Sequence, residues 1–140
     1  MGQEDIRISE IQAATRIAQG RESSKVAEAY MTAIHTRNIE ALGNTLHPDL
    51  HVVGPKGEVH NRASFLETMR NVVPHLEGVD VTARLASGNQ NFYMFNLVLA
   101  APAVPLRTAH LITHEEGQIK KIEIVADAAD FHTYLKNQKQ

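Results

Sequence analysis

Apolar residues recur every three or four positions in the first half of the chain and every second position in much of the second half. The first spacing is typical of helices with one buried face, and the second is typical of strands. Asn38 and Asn61 are predicted to cap two of the helices. The predicted helices cover residues 24–37, 38–46 and 61–73. An earlier helix over residues 9–18 is predicted to belong to an appendage, residues 1–22, that precedes a main domain of residues 23–140.

Strands are predicted to follow the third helix, separated by turns rich in glycine, asparagine and proline. The predicted strands cover residues 79–85, 92–100, 106–114 and 119–125. A shorter strand, residues 50–53, is expected before the third helix and ends at a turn over residues 54–57. A short C-terminal helix is expected to carry Phe131 and Leu135.

Helices followed by a run of neighbouring strands indicate an α+β domain with an antiparallel sheet. The strand over residues 92–100 is apolar on both faces, so both faces should be covered. The helices can cover only one of them. A second copy of the chain is expected to cover the other.

The composition is that of one globular domain, with 140 residues, 43% hydrophobic and 21% charged. The net charge is −2 and no basic stripe is visible, so no nucleic-acid partner is expected. Cysteine is absent, which excludes disulfides and thiolate nucleophiles. No apolar run is long enough to cross a bilayer and no signal peptide is visible, so a cytoplasmic protein without a membrane partner is expected.

Four short stretches resemble motifs of the NTF2-like superfamily, particularly its SnoaL-like and ketosteroid-isomerase-like branches. Residues 38–42 resemble the start of that family's second helix, and residues 47–50 resemble its lead into the first strand. Residues 61–65 resemble the start of its third helix, and residues 115–119 resemble the hairpin before its last strand. The order and spacing of these motifs, across residues 24–135, are specific for a fold and not for an activity.

The resemblance implies an α+β cone in which a strongly curved antiparallel sheet wraps around about three N-terminal helices. It also implies a conical cavity and a homodimer formed through the convex face of the sheet. The cavity is expected to bind a small hydrophobic molecule, with no cofactor. The predicted ligand-binding residues are Tyr30, Ile34, Met69, Met94, Asn96, Arg107, Leu111 and Ile124.

The catalytic residues of a ketosteroid isomerase carry over only in part. The phenol position falls on Tyr30, but the base position falls on Gly54 and the second oxyanion donor falls on Ala109. Glycine and alanine cannot move a proton, so ketosteroid isomerisation is not expected. Ligand binding without catalysis is slightly favoured for this reason.

Acid–base catalysis of the cyclase, isomerase or epoxide-hydrolase type is the alternative function, with Tyr30 and Asp127 as its candidate catalytic residues. An aspartate at the Asp127 position is common in SnoaL-like proteins. Each residue also has a structural interpretation. Tyr30 can be a core tyrosine, and Asp127 can cap the C-terminal helix.

The register of the strand over residues 106–114 decides which polar groups enter the cavity. The resemblance to the family implies the favoured register, in which Arg107, Ala109, Leu111 and Thr113 point inward. A shift of one residue would instead point Thr108, His110 and Ile112 inward, and His110 would become a candidate general base.

The eight histidines raise the question of a metal site. Neither His110 with His114 nor His47 with His51 has the spacing of a known ligand motif. No metal is therefore expected.

Overall fold

A computed structural model describes residues 25–100 and 105–126. The predicted appendage, the predicted C-terminal helix and Asp127 lie outside these residues. None of the described helices is long and apolar enough to cross a membrane.

Three α-helices lie in the first half of the described chain. They are α1 (residues 25–35), α2 (Ile39–Asn44) and α3 (Arg62–Val72), and a 3₁₀ turn, Val73–His75, follows α3. The side chain of Asn38 accepts a hydrogen bond from the Ala41 amide at 3.0 Å, and that of Asn61 accepts one from the Ser64 amide at 2.9 Å. Both predicted caps are confirmed, because each amide oxygen pairs with a backbone donor that the first turn leaves free.

Six strands form one curved, unclosed sheet. In chain order they are β1 (Leu46–Gly54), β2 (Gly57–His60), β3 (Leu76–Ser87), β4 (Gln90–Leu99), β5 (Pro105–Glu115) and β6 (Gln118–Ala126). Their order across the sheet is β2-β1-β6-β5-β4-β3. Only the β1–β6 pair among these strands is parallel. The predicted α+β cone is confirmed.

Two details of the first hairpin differ from the prediction. β1 begins at Leu46 and not at residue 50, and so includes Pro48. Its pairing with β6 shifts register between Leu46 and His51, so the imide of Pro48 lies where the ladder is interrupted. β2 was not predicted, because four residues are too few for an alternating pattern to stand out. Gly57, at φ +122°, makes the tight connection between β1 and β2.

The core lies between the helices and the concave face of the sheet. Tyr30 and Ile34 of α1 and Ile122 of β6 are at most 1% exposed. On β4, Tyr93 and Phe95 point toward this core and are buried, whereas Met94 points the other way and is 36% exposed. Among the described residues, β4 is therefore covered on one face only, and the convex face of the sheet carries exposed apolar side chains.

Candidate functional site

A cavity of about 470 Å³ lies between the concave face of the sheet and helices α1 and α3. Its walls are largely apolar. Side chains from one helix face and from the inward positions of the central strands form them. The apolar residues of this wall are Ile34, Val52, Val59, Phe65, Met69, Val72, Phe95, Leu97, Leu106, Ile124 and Ala126. The β1–β2 hairpin, residues 54–58, forms part of the rim.

β5 has the register that was not favoured from the sequence. Leu106, Thr108 and His110 are buried and line the cavity, whereas Arg107 is exposed. The favoured register is wrong because it would turn the exposed Arg107 inward and the buried Leu106 and His110 outward. Thr108 is accommodated inside since its hydroxyl donates to the Leu106 carbonyl oxygen at 3.2 Å.

The structure separates the predicted ligand-binding residues into two groups. Ile34, Met69 and Ile124 line the cavity. Four others are placed on the opposite face of the sheet, and their predicted position is wrong. These are Met94 and Asn96 on β4, which alternate with the inward Phe95 and Leu97, and Arg107 and Leu111 on β5, which alternate with the inward Thr108 and His110.

Tyr30 lies behind the cavity wall and pairs with His110. The Tyr30 hydroxyl is 3.1 Å from His110 Nδ1, and both residues are buried. The edge of one ring faces the other, with centroids 5.9 Å apart, and Phe95 packs against His110 in the same way at 4.8 Å. The imidazole is thus held between two aromatic rings and has little rotational freedom.

Burial sets the charge of both members of the pair. Desolvation raises the pKa of Tyr30 well above its usual value of 10, and it lowers the pKa of His110 from 6.5 to about 3. Both groups are therefore neutral near pH 7. His110 is the only partner of the phenol among the described residues. We assign the phenol as donor to Nδ1, because its proton would otherwise be buried unpaired, and this assignment puts the ring proton of His110 on Nε2.

His110 is the site residue that the favoured interpretation of the sequence missed. The shifted register would have found it, and the apolar spacing of β5 alone could not decide between the two. Whether Tyr30 acts with Asp127 stays a prediction, since Asp127 lies outside the described residues. Gly54 lies at the cavity rim, while Ala109 faces away from the cavity because it alternates with His110. The absence of an acid at position 109 is therefore no evidence against catalysis in this cavity.

One group of side chains in the described part of the chain could hold a metal ion. It consists of His51, Glu58 and His60, on strands β1 and β2. Glu58 also lies at the cavity rim.

The sequence matches the model of the SnoaL-like domain over residues 27–122. Solved structures with the same fold include a protein from Kribbella flavida, 18% identical, with a TM-score of 0.74 over 82% of this chain and 94% of that one. A proposed ketosteroid isomerase from the same organism is 18% identical, with a TM-score of 0.69 over 77% of this chain and 79% of that one. A proposed polyketide cyclase from Sinorhizobium meliloti is 17% identical, with a TM-score of 0.65 over 72% of this chain and 94% of that one.

No curated protein is significantly similar to this sequence. The structural similarity to these proteins establishes a shared fold. Because the sequence identities are below a fifth, the activity of this chain has to be argued from its own site.

Proposed function

Because this chain belongs to the SnoaL-like domain family, we propose that its cavity binds a small hydrophobic molecule carrying one hydrogen-bond acceptor, such as a carbonyl oxygen. The observation that carries the proposal is the neutral His110–Tyr30 pair set in an apolar wall. A volume of about 470 Å³ falls within the range of about 300–1,000 Å³ that is usual for small-molecule sites.

His110 is suited to donate a hydrogen bond to the ligand. Its Nδ1 is occupied by the Tyr30 hydroxyl, so the polar atom left for the cavity is Nε2, which carries a proton. A buried donor in a largely apolar wall favours a ligand with a matching acceptor, since an unpaired polar group is costly to bury. The ligand class is therefore an apolar molecule with a carbonyl or ether oxygen.

The same pair favours binding over proton abstraction. A histidine whose pKa is lowered to about 3 is a weak base at neutral pH. Tyr30 keeps its proton, because burial raises the pKa of its phenol. His110 can orient a carbonyl and Tyr30 holds the His110 ring in place, but neither group is poised to remove a proton from carbon.

Two ligands that differ by a carbonyl oxygen test this proposal. 2-Acetylnaphthalene should bind about three- to tenfold more tightly than 2-ethylnaphthalene, because only the ketone accepts a hydrogen bond from His110 Nε2. The preference should disappear in His110→Phe, which removes the donor and keeps an apolar ring. Isothermal titration calorimetry on the full chain measures both affinities.

Tyr93→Phe is the matched control, since it removes a phenol from the neighbouring strand and leaves the His110 pair intact. The control should keep the preference for the ketone. Equal affinity of the wild-type protein for the two ligands, or no binding of either, would count against the proposal.

Acid–base catalysis by Asp127 with Tyr30 is the second candidate function. Its support is the buried, protonated phenol of Tyr30 directly behind the cavity wall. One protein of similar fold, TerC, was crystallised with polyporic acid. If this alternative holds, the Asp127→Asn variant should lose turnover of a carbonyl substrate while keeping its affinity for that substrate.

That the protein acts in the cytoplasm stays a prediction.

We further propose that two copies of the chain pair through the convex face of the sheet. Leu85, Phe92 and Leu111 lie side by side on strands β3, β4 and β5, and Met94 and Val125 extend this apolar patch along the next row. Leu85 is 71% exposed and Val125 is 72% exposed. Contiguous apolar surface of this kind is typical of protein interfaces, and a second copy supplies an equally apolar partner.

Leu85→Glu combined with Val125→Glu should convert the dimer to a monomer, because each interface would then bury charged carboxylates without partners. Light scattering at micromolar concentration measures the mass. Ala29→Glu, on the exposed side of α1, adds the same charge outside the patch and should leave the dimer intact. A wild-type protein that is monomeric at these concentrations would rule the interface out.

A further inference from the structure

Strands β1 and β2 bring together three side chains that have no part in the proposed ligand contact, although Glu58 lies at the cavity rim. His51 and His60 face each other across the two strands, and Glu58 lies diagonally opposite His51. Glu58 Oε2 is 3.4 Å from Nε2 of His51 and 3.4 Å from Nε2 of His60. The two imidazole rings are stacked, with centroids 4.7 Å apart and planes 6° from parallel. We call these three residues the edge cluster.

We propose that the edge cluster is a binding site for a divalent transition-metal ion, with Zn²⁺ as the ion that fits best. Two imidazoles and one carboxylate are a donor set that zinc uses in sites with one open coordination position. Nitrogen ligands favour zinc over magnesium and calcium, which prefer an all-oxygen set.

The distances within the edge cluster agree with coordination around one ion. Neighbouring ligand atoms around a tetrahedral zinc with bonds of about 2.0–2.1 Å lie about 3.3–3.4 Å apart. Both histidine–glutamate separations have this value. All three ligand atoms lie within 4.8 Å of one another, so the more exposed His60 ring has to move toward His51 when the ion binds.

His51 provides a second observation. Its Nε2 atom is buried and forms no hydrogen bond within the described part of the chain, although Glu58 Oε2 lies 3.4 Å away. A buried polar atom without an aligned partner is costly, and a metal ion would satisfy it. Lys121 of β6 lies beside His51 in the register of the sheet, but its Nζ is 3.4 Å from Glu123 Oε1, which balances its charge.

The position of the edge cluster suggests what the ion would do. β2 is a four-residue strand at the edge of the sheet, paired with β1. Its connection to β1 forms part of the cavity rim. An ion held by His51 of β1 and by Glu58 and His60 of β2 would therefore fasten the edge strand and fix the rim.

Zinc binding to the full chain, freed of any tag and treated with EDTA, tests the proposal. Calorimetric titration with ZnCl₂ should show one ion per chain, and Mg²⁺ should give no binding. His51→Gln and His60→Gln should each weaken zinc binding at least about 100-fold, since the loss of a direct ligand exceeds the 10–100-fold effect of outer-shell partners. His47→Gln, on the same strand outside the cluster, should leave the affinity unchanged.

Two further measurements do not depend on the calorimetry. X-ray absorption at the zinc edge should show two imidazole nitrogens and a carboxylate oxygen, and zinc should raise the melting temperature of the wild-type protein more than that of His60→Gln. Absence of zinc binding, or binding that survives both substitutions, would overturn the proposal. Neither result decides whether a ligand binds in the cavity, because that proposal rests on His110 and the apolar wall and not on the edge cluster.

Discussion

The free energy of unfolding should fall steeply as the pH is lowered from about 6.5 toward 3, because His110 is buried in its neutral form. The pKa of His110 is about 3 in the folded protein against 6.5 for an exposed histidine. Between these values the unfolded chain takes up a proton that the folded chain excludes. The contribution of His110 to stability is complete above pH 6.5, and it decreases by about 1.4 kcal/mol for each pH unit below.

The total expected loss is on the order of 4–5 kcal/mol, which is a large share of the stability of a domain of this size. Urea unfolding at pH 7, 6, 5 and 4 measures the slope. His110→Leu should unfold more easily at neutral pH, because it leaves the Tyr30 hydroxyl unpaired, yet its stability should depend much less on pH. Equal slopes for the two proteins would show that His110 is not held neutral by burial.

A tryptophan in the cavity wall should abolish ligand binding. The side chain of Ile124 points from β6 into the cavity, so Ile124→Trp would occupy the space that the ligand requires. We expect the affinity for 2-acetylnaphthalene to fall at least about 100-fold, since the bulk displaces the ligand from its apolar contacts. The same calorimetric titration measures the effect.

Val125→Trp is the matched control for this substitution. Val125 is the next residue along β6, but it points to the convex face and is 72% exposed. This variant adds the same side chain outside the cavity. It should bind the ligand as the wild type does even where it weakens the proposed dimer, because one chain supplies the whole cavity wall. If the Ile124 variant bound as tightly as the control, the ligand would have to bind elsewhere.

The sequence predicted most of the helices and strands because local chemistry determines them. Asn38 and Asn61 can each satisfy free amides at the start of a helix, so their position marks where the helix begins. β2 could not be predicted in this way. Its four residues pair only with β1, so the hydrogen bonds that define it come from a neighbouring strand and not from its own pattern.

The candidate site was predicted less well than the fold, and β5 shows why. Inward and outward residues alternate along it, and both faces offer a mixture of polar and apolar side chains. Sequence periodicity could narrow the choice to two registers but could not select one. The register depends on contacts between residues distant in sequence, above all the hydrogen bond between His110 and Tyr30, which lie 80 residues apart.

The parallel pairing of β1 with β6 has a consequence for how the chain folds during synthesis. β1 and β2 can form a hairpin as soon as they leave the ribosome, and β3, β4 and β5 can pair in sequence as they emerge. Val52 of β1, however, has its sheet neighbour in Ile122, on the last of the described strands. The edge of β1 that faces β6 therefore stays unpaired until nearly the whole domain has been translated. Pairing between such distant segments is intrinsically slow, so we expect the docking of β6 between β1 and β5 to limit the rate at which the native sheet appears.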